Sequence, residues 1–148
     1  MKPLVILIAT FLLVLLITAL TSAGINPSLA GRVGMSAMLL FTALGHFMFT
    51  KGMTMMIPQA VPFKTSLVRI TGILEILAAI GLLIPSLYQF TGHFLILFFL
   101  LLLPANVYAA IKKVDYQKGD FTGKGLKYLW FRIPLQLFFI TWTWYFCL

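Results

Sequence analysis

Six polar side chains that could do chemistry lie within otherwise apolar stretches of this chain. They are His46, Arg69, Glu75, Asn106, Arg132 and Gln136. A polar or ionisable group inside a membrane is costly to keep there, so it marks a candidate binding site, ion path or proton relay. Glu75 is the strongest case, because an acidic residue near mid-membrane costs about 2.5–3.5 kcal/mol on insertion scales. We therefore take these six residues as a candidate intramembrane polar cluster.

Three of the six also have a plain structural interpretation that stays open at this point. Glu75 can form an interhelical salt bridge or a neutral hydrogen-bonded carboxyl group. Gly72 and Ala79 flank it on the same helix face, so a neighbouring helix can approach there and Glu75 is predicted to face the bundle. Arg69 can extend its charge to the membrane interface. His46 can be a packing histidine with satisfied hydrogen bonds.

The other three polar residues are compatible with helix-to-helix hydrogen bonding. Asn106 and Gln136 can join helices through contacts of about 0.6 kcal/mol each. Asn106 also follows Pro104 by two residues and can satisfy backbone groups freed by that proline. Arg132 shares a helix face with Gln136, and for Arg132 the structural and functional interpretations are equally supported.

No complete catalytic or metal-binding set of residues is present in the sequence. The chain has one Glu, two His and one Cys. Cys147 therefore has no partner for an intrachain disulfide or a redox pair, and no zinc site or Ser/His/Asp triad can be assembled. We predict no catalytic residues and no metal site, and a stand-alone enzyme is disfavoured.

Five apolar stretches must position the polar residues. The composition is 61% hydrophobic and 9% charged, with a mean hydropathy of +1.05. A soluble domain carries roughly 25% charged residues, so the surrounding solvent is predicted to be lipid. The pattern predicts an all-α, polytopic transmembrane helical bundle in a single domain, residues 1–148. The predicted spans are Leu4–Ala23, Val33–Thr50, Leu67–Ile84, Phe94–Ile111 and Tyr128–Leu148.

The first stretch resembles a secretory signal peptide in part. Lys2 precedes an apolar run, and Thr21, Ser22 and Ala23 follow it. The uninterrupted apolar core from Leu4 to Leu20 is longer than the roughly 7–15 residues typical of such signals. We expect a retained span, and intact mass would reveal any cleavage.

The distribution of loop charges predicts an orientation. Eight lysines fall beside the loops of one side, and Arg32 alone beside those of the other. The side richer in Lys and Arg is usually cytoplasmic, so the N-terminus is predicted inside and the C-terminus outside a bacterial inner membrane. This count also explains the net charge of +8 without a nucleic-acid partner. The eight are Lys2, Lys51, Lys64, Lys112, Lys113, Lys118, Lys124 and Lys127.

The two loops on the predicted cytoplasmic side differ in chemistry. Lys112–Lys127 is polar and glycine-rich, which predicts a solvated loop able to approach anionic lipid. Lys51–Thr65 is methionine-rich and contains two prolines, so it is predicted to lie in the interface or fold against the bundle. We predict an interfacial role for Lys51, Met53, Met55, Met56 and Pro58.

Four sequence strings, one in each of the second to fifth spans, resemble DoxX-like (DoxX/DoxD) integral membrane proteins. They are Gly45-His46-Phe47 with Lys51-Gly52-Met53; Thr71-Gly72-Ile73-Leu74-Glu75-Ile76; Leu103-Pro104-Ala105-Asn106-Val107-Tyr108; and Trp130-Phe131-Arg132-Ile133-Pro134-Leu135-Gln136. The resemblance implies a four-helix core, with the first span added at the N-terminus. It also implies a possible quinone ligand and a role beside a membrane redox complex.

Two functions follow as hypotheses. The first is an accessory or assembly subunit of a membrane complex that contacts another membrane protein or, as the resemblance implies, a quinone. The second is a small proton-coupled transporter or carrier with Glu75 as the protonatable site. The absence of an inverted repeat weighs against the carrier.

Overall fold

A computed structural model describes residues 2–21 and 24–148. Within those residues the chain is all-α, and its one extended pairing is an isolated bridge between Asp115 and Asp120. The predicted all-α helical architecture is confirmed. Ala23, the predicted end of the first span, lies outside the described residues. The helices are α1 (Lys2–Leu20), α2 (Pro27–Met48), α3 (Thr50–Thr54), α4 (Lys64–Gly81), α5 (Tyr88–Ile111) and α6 (Leu126–Cys147).

Five of the helices overlap the five predicted spans with different bounds, and the short helix α3 was not predicted. Helices α1, α2 and α5 are long and apolar enough to cross a membrane, so a membrane location follows from length and composition. Helix α4 carries Lys64, Arg69 and Glu75, and α6 carries Lys127 and Arg132. That these two helices also span stays a prediction.

Helices α2, α4, α5 and α6 form a ring in which each packs against two others, and α1 packs on the outside of α2. The close contact of α1 with α2 depends on Gly34, because a Cβ there would lie 2.9 Å from the Leu7 carbonyl oxygen. The start of α2 is also specified locally. Asn26 caps it by accepting a hydrogen bond from the Leu29 amide at 3.0 Å, and Pro27 follows in the first turn.

The ring is closed tightly at the end that holds the start of α2 and the end of α6. There the Trp142 indole donates to the Gly31 carbonyl at 3.1 Å, and Gly31 lies against the Phe146 ring. Helices α4 and α5 also meet at this end, where Gly81 lies against the Thr91 side chain. At the opposite end the same helices leave room for a cavity. We call that end, which holds Lys2 and the segments 49–63 and 112–125, the cavity end.

The entry into α6 at the cavity end requires glycine. Gly125 has φ 63° and ψ −141°, a backbone region that is essentially restricted to glycine. The chain can therefore turn sharply from the 112–125 loop into α6, which brings Arg132 and Gln136 to the level of the cavity.

Candidate functional site

A cavity of about 720 Å³ occupies the cavity end of the bundle. Much of its wall is apolar, but the lining also contains Glu75, His46 and Arg132. It continues past Phe41, Leu44 and Met48, whose side chains are exposed on the outside of α2, so the cavity reaches the outer surface of the bundle. The buried apolar lining residues include Met38, Leu135 and Phe139.

His46 and Glu75 form the first polar group in the cavity. Helices α2 and α4 approach closely here because Gly72 leaves space for His46; a Cβ on Gly72 would lie 2.8 Å from the His46 Cβ. His46 Nε2 lies 3.5 Å from Glu75 Oε1. The other carboxylate oxygen, Oε2, is buried and has no hydrogen-bond partner among the described residues. An unsatisfied buried acceptor costs about 1–3 kcal/mol.

The opposite edge of the His46 ring is anchored to α4. His46 Nδ1 lies 3.0 Å from the Val68 carbonyl oxygen and 3.1 Å from Thr71 Oγ1. Thr71 in turn donates to the same Val68 carbonyl at 2.8 Å. These contacts determine how the ring is oriented and which nitrogen faces Glu75.

Arg132, Asn106 and Gln136 form the second polar group. Arg132 Nε donates to Asn106 Oδ1 at 3.3 Å, and Asn106 Nδ2 donates to Gln136 Oε1 at 3.0 Å. Gln136 Nε2 donates to the Phe99 carbonyl, which ends the chain of hydrogen bonds. The bonds that Arg132 makes within the described residues use only Nε, which leaves its terminal N–H groups free for an acceptor in the cavity.

Five of the six sequence-predicted residues thus line one cavity, in two groups. The exception is Arg69, whose side chain is exposed and lies outside the cavity lining, as the interface interpretation expects. Asn106 hydrogen-bonds to side chains of α6. The alternative in which it satisfies backbone groups freed by Pro104 is therefore not observed. Glu75 is buried against α2, the orientation predicted from Gly72.

A family model described as a domain of unknown function, DUF8561, matches residues 35–147. The match covers more than two thirds of the chain and contains both polar groups of the cavity. The chain belongs to the DUF8561 family. No curated protein and no solved structure matches it.

The matched DUF8561 region also contains the two segments that cover the cavity. Met53, Met56 and Ile57 line it from the segment 49–63, which includes α3, and Tyr116 and Gln117 line it from the 112–125 loop. The methionine-rich segment therefore folds against the bundle, one of the two predicted alternatives. Of the other residues predicted to act there, Lys51, Met55 and Pro58 lie outside the lining.

The two covering segments hold each other in place. Gly52 is buried directly against the Tyr116 backbone carbonyl, and the rings of Phe49 and Tyr116 pack edge to face with centroids 6.1 Å apart. Only a residue without a side chain fits at position 52. The cover is therefore a packed structure and not merely a solvated loop.

Sequence reasoning did not assign several polar residues that line the cavity, among them Thr71, Tyr116 and Gln117. Thr71 precedes Glu75 by four residues, so the helical period would have placed it on the same face. Tyr116 and Gln117 carry no such signal, because the fold of the 112–125 loop brings them over the cavity. Among residues 2–21 and 24–148, no group of three His, Cys, Asp or Glu is close enough to hold a metal ion.

Proposed function

We propose that this DUF8561 protein is a DoxX-like accessory subunit of a bacterial inner-membrane complex, and that its cavity holds a quinone-like lipid. One observation carries the proposal: a largely apolar cavity of about 720 Å³ contains two separate polar groups and extends to exposed apolar surface on α2. Sites for small molecules are mostly apolar with a few placed polar groups and volumes of about 300–1,000 Å³. A lipid-like molecule can enter such a cavity sideways, without crossing water.

Each of the two polar groups could bind one oxygen atom of a quinone-like ring. The terminal N–H groups of Arg132 can bind one oxygen, since Asn106 already holds Nε. Glu75 Oε2 offers a second position for a hydrogen bond. A bound quinone-like lipid would present one oxygen atom, as a carbonyl or a hydroxyl, to each group, and it would exchange electrons with a redox partner and protons with its surroundings.

Binding is tested with decylubiquinone and the purified protein in lipid nanodiscs. Leu102 lines the cavity, whereas its neighbour Leu101 is 68% exposed on the outer face of the same helix. We expect Leu102→Trp to weaken binding about tenfold or more, because it fills the cavity. Leu101→Trp, the matched control, should bind as the parent does. Equal affinities for the two variants would overturn the cavity as the binding site.

The accessory role rests on the resemblance to DoxX-like proteins and on the lack of a recognisable catalytic set among the residues of this sequence. Purification from its native membrane in a mild detergent should recover a second membrane protein in a fixed ratio. Recovery of the chain without any enriched protein would contradict the accessory role. The ligand-binding proposal is independent of that result.

A proton-coupled carrier is the second candidate, and the unpartnered Glu75 Oε2 favours it. If the protein is a carrier, the lumen of proteoliposomes that contain the parent protein should acidify when a gradient of the transported substrate is imposed. Glu75→Gln should abolish this proton movement. Flux through Glu75→Gln equal to that of the parent would eliminate this candidate.

A further inference from the structure

The tautomer of His46 follows from its contact with the Val68 carbonyl. A carbonyl oxygen only accepts hydrogen bonds. His46 Nδ1, 3.0 Å from that oxygen, must therefore carry a hydrogen and donate it. The Thr71 hydroxyl, which donates its own hydrogen to the Val68 carbonyl, is compatible with this assignment because its oxygen can also accept from Nδ1.

This tautomer creates a conflict at the other nitrogen. In a neutral ring with its hydrogen on Nδ1, Nε2 carries a lone pair, and that lone pair faces Glu75 Oε1 at 3.5 Å. If Glu75 were ionised, two acceptors would face each other inside the bundle. One proton between Nε2 and Oε1 removes the conflict, whether it belongs formally to the carboxyl group or to the ring.

The net charge of the His46–Glu75 pair also favours one added proton. With no added proton the pair has a net charge of −1, and with two it has +1; with one it is neutral. The two side chains are only 13% and 5% exposed, and an uncompensated charge in such surroundings is strongly disfavoured.

The other charged groups around the pair do not replace this proton. Lys2 of α1 and Arg132 of α6 line the same cavity, Tyr116 faces it from the loop, and Arg69 of α4 is exposed outside it. Among the described residues, only His46 forms an ion-pair contact with Glu75 within 4 Å. Helix α5 contributes the neutral Asn106.

We propose that His46 and Glu75 share one proton between Nε2 and Oε1, and that Oε2 is consequently an acceptor that selects a hydroxyl-bearing lipid over its carbonyl counterpart. In quinone chemistry, the favoured form is the reduced quinol. The choice of a quinol rests on the proposed function, whereas the shared proton does not. Oε2 needs a hydrogen-bond donor whether the shared proton resides on Glu75 or on His46. In both cases the proton lies between Oε1 and Nε2, and Oε2 can only accept.

The shared proton can be counted in the protein without any ligand. Glu75 is the only Glu in the chain, and His46 is the only His once His93 is replaced. In a His93→Gln variant with isotope-labelled Glu and His, infrared spectroscopy reports whether the carboxyl group is protonated. Nitrogen NMR reports whether one or both nitrogens of the ring are protonated. We expect the two measurements at neutral pH to sum to one proton beyond the Nδ1 hydrogen; a sum of zero or two would overturn the proposal.

The selection is tested on the parent protein with decylubiquinol and decylubiquinone. One hydrogen bond to a buried charged or polar acceptor predicts about tenfold or greater preference for the quinol. Glu75→Met should lose that preference, and its folding is checked by size-exclusion chromatography. The comparison of the two probes on the parent stands even if this variant fails to fold.

The outcomes separate the two proposals. Equal binding of both probes overturns the selection and leaves the cavity as a binding site. Binding of neither overturns the quinone-like ligand together with the selection, while the proton count still decides the state of the His46–Glu75 pair.

Discussion

The Asn106 side chain joins α5 to α6 through both its oxygen and its nitrogen atom. Its Oδ1 accepts from Arg132 and its Nδ2 donates to Gln136. Membrane proteins gain on average about 0.6 kcal/mol from such an interhelical bond, so the pair of bonds is modest in stability. Their larger effect is geometric, because they hold the Arg132 guanidinium at the cavity wall.

Replacing Asn106 by Leu should therefore weaken ligand binding as well as folding. We expect a loss of about 1–3 kcal/mol in the free energy of unfolding, since Arg132 Nε and Gln136 Oε1 lose a partner. Binding of decylubiquinone should weaken about tenfold or more. Asn106→Asp, which retains the acceptor for Arg132, is the control and should retain more of the binding. Denaturant titration and binding isotherms measure the two effects, and a stability loss with unchanged binding would contradict the positioning role.

At the residue scale, polarity in an apolar stretch predicted five of the side chains that line the cavity. It identified Glu75, His46 and Asn106 because lipid excludes such side chains unless they have a task or a partner. It could not show that Arg69 points away, since an arginine near a helix end can follow either course. It also could not identify Tyr116, whose place over the cavity depends on the fold of a polar loop.

At the element scale, the cover of the cavity depends on one glycine. Gly52→Ala places a Cβ against the Tyr116 backbone, so the segment 49–63 and the 112–125 loop must separate. We expect faster proteolysis and faster hydrogen exchange in both segments, with the long helices unchanged. Gly45→Ala is the matched control, because a Cβ there meets only the side chains of Met53 and Phe49, at the ordinary contact distances of 3.5 and 4.0 Å. Equal exchange in the two variants would contradict the packed cover.

The 112–125 loop should also loosen in acid. The Thr122 hydroxyl and amide both donate to Asp120 Oδ1, at 2.6 and 3.0 Å, and these bonds lower the pKa of Asp120 below its usual value of 3.8. A lowered pKa means that the ionised carboxylate favours the folded loop. This contribution is fully present above the unfolded pKa and is lost as the pH falls through the folded one.

Hydrogen exchange of the loop, followed from pH 6 down to about pH 3 and corrected for the intrinsic rate, should show this acid step. Asp120→Asn, which has no carboxylate to titrate, should lack it. A step of the same size in Asp120→Asn would assign the acid sensitivity to another group.

The helices themselves were largely predictable, but their ends were not. Helix α5 begins at Tyr88, six residues before the predicted start at Phe94, because Tyr88, Gln89 and His93 interrupt the apolar run without interrupting the helix. Hydropathy follows the surface that suits lipid, whereas helix ends depend on backbone hydrogen bonds and caps. The five-residue helix α3 contains no apolar run and gave no signal.

At the scale of the whole molecule, the bundle is asymmetric from end to end. One end is closed by close contacts such as Gly31 with Phe146 and Gly81 with Thr91. The other end contains the cavity, its cover and the lysine-bearing loops. In a membrane, a bundle with this shape presents its polar groups to one side, so the orientation of the chain decides which compartment the cavity end faces.

The predicted orientation requires the chain to cross the membrane at every long helix, including α4 and α6. Exposed sites between the helices report this directly: Gln59 precedes α4, Ser86 follows it, and Lys118 precedes α6. Single cysteines at these sites are made in a Cys147→Ser background, with a fourth cysteine appended to the C-terminus. A membrane-impermeant maleimide is then applied to intact spheroplasts and to lysed ones.

We expect Ser86→Cys and the C-terminal cysteine to react in intact spheroplasts, and Gln59→Cys and Lys118→Cys to react only after lysis. The physical reason is the excess of lysine at the cavity end, which is retained on the cytoplasmic side. Reaction of Gln59→Cys and Ser86→Cys from the same side would mean that α4, with its three charged residues, does not cross. The opposite pattern at all four sites would keep the five spans and invert the orientation, which would open the cavity end to the outside.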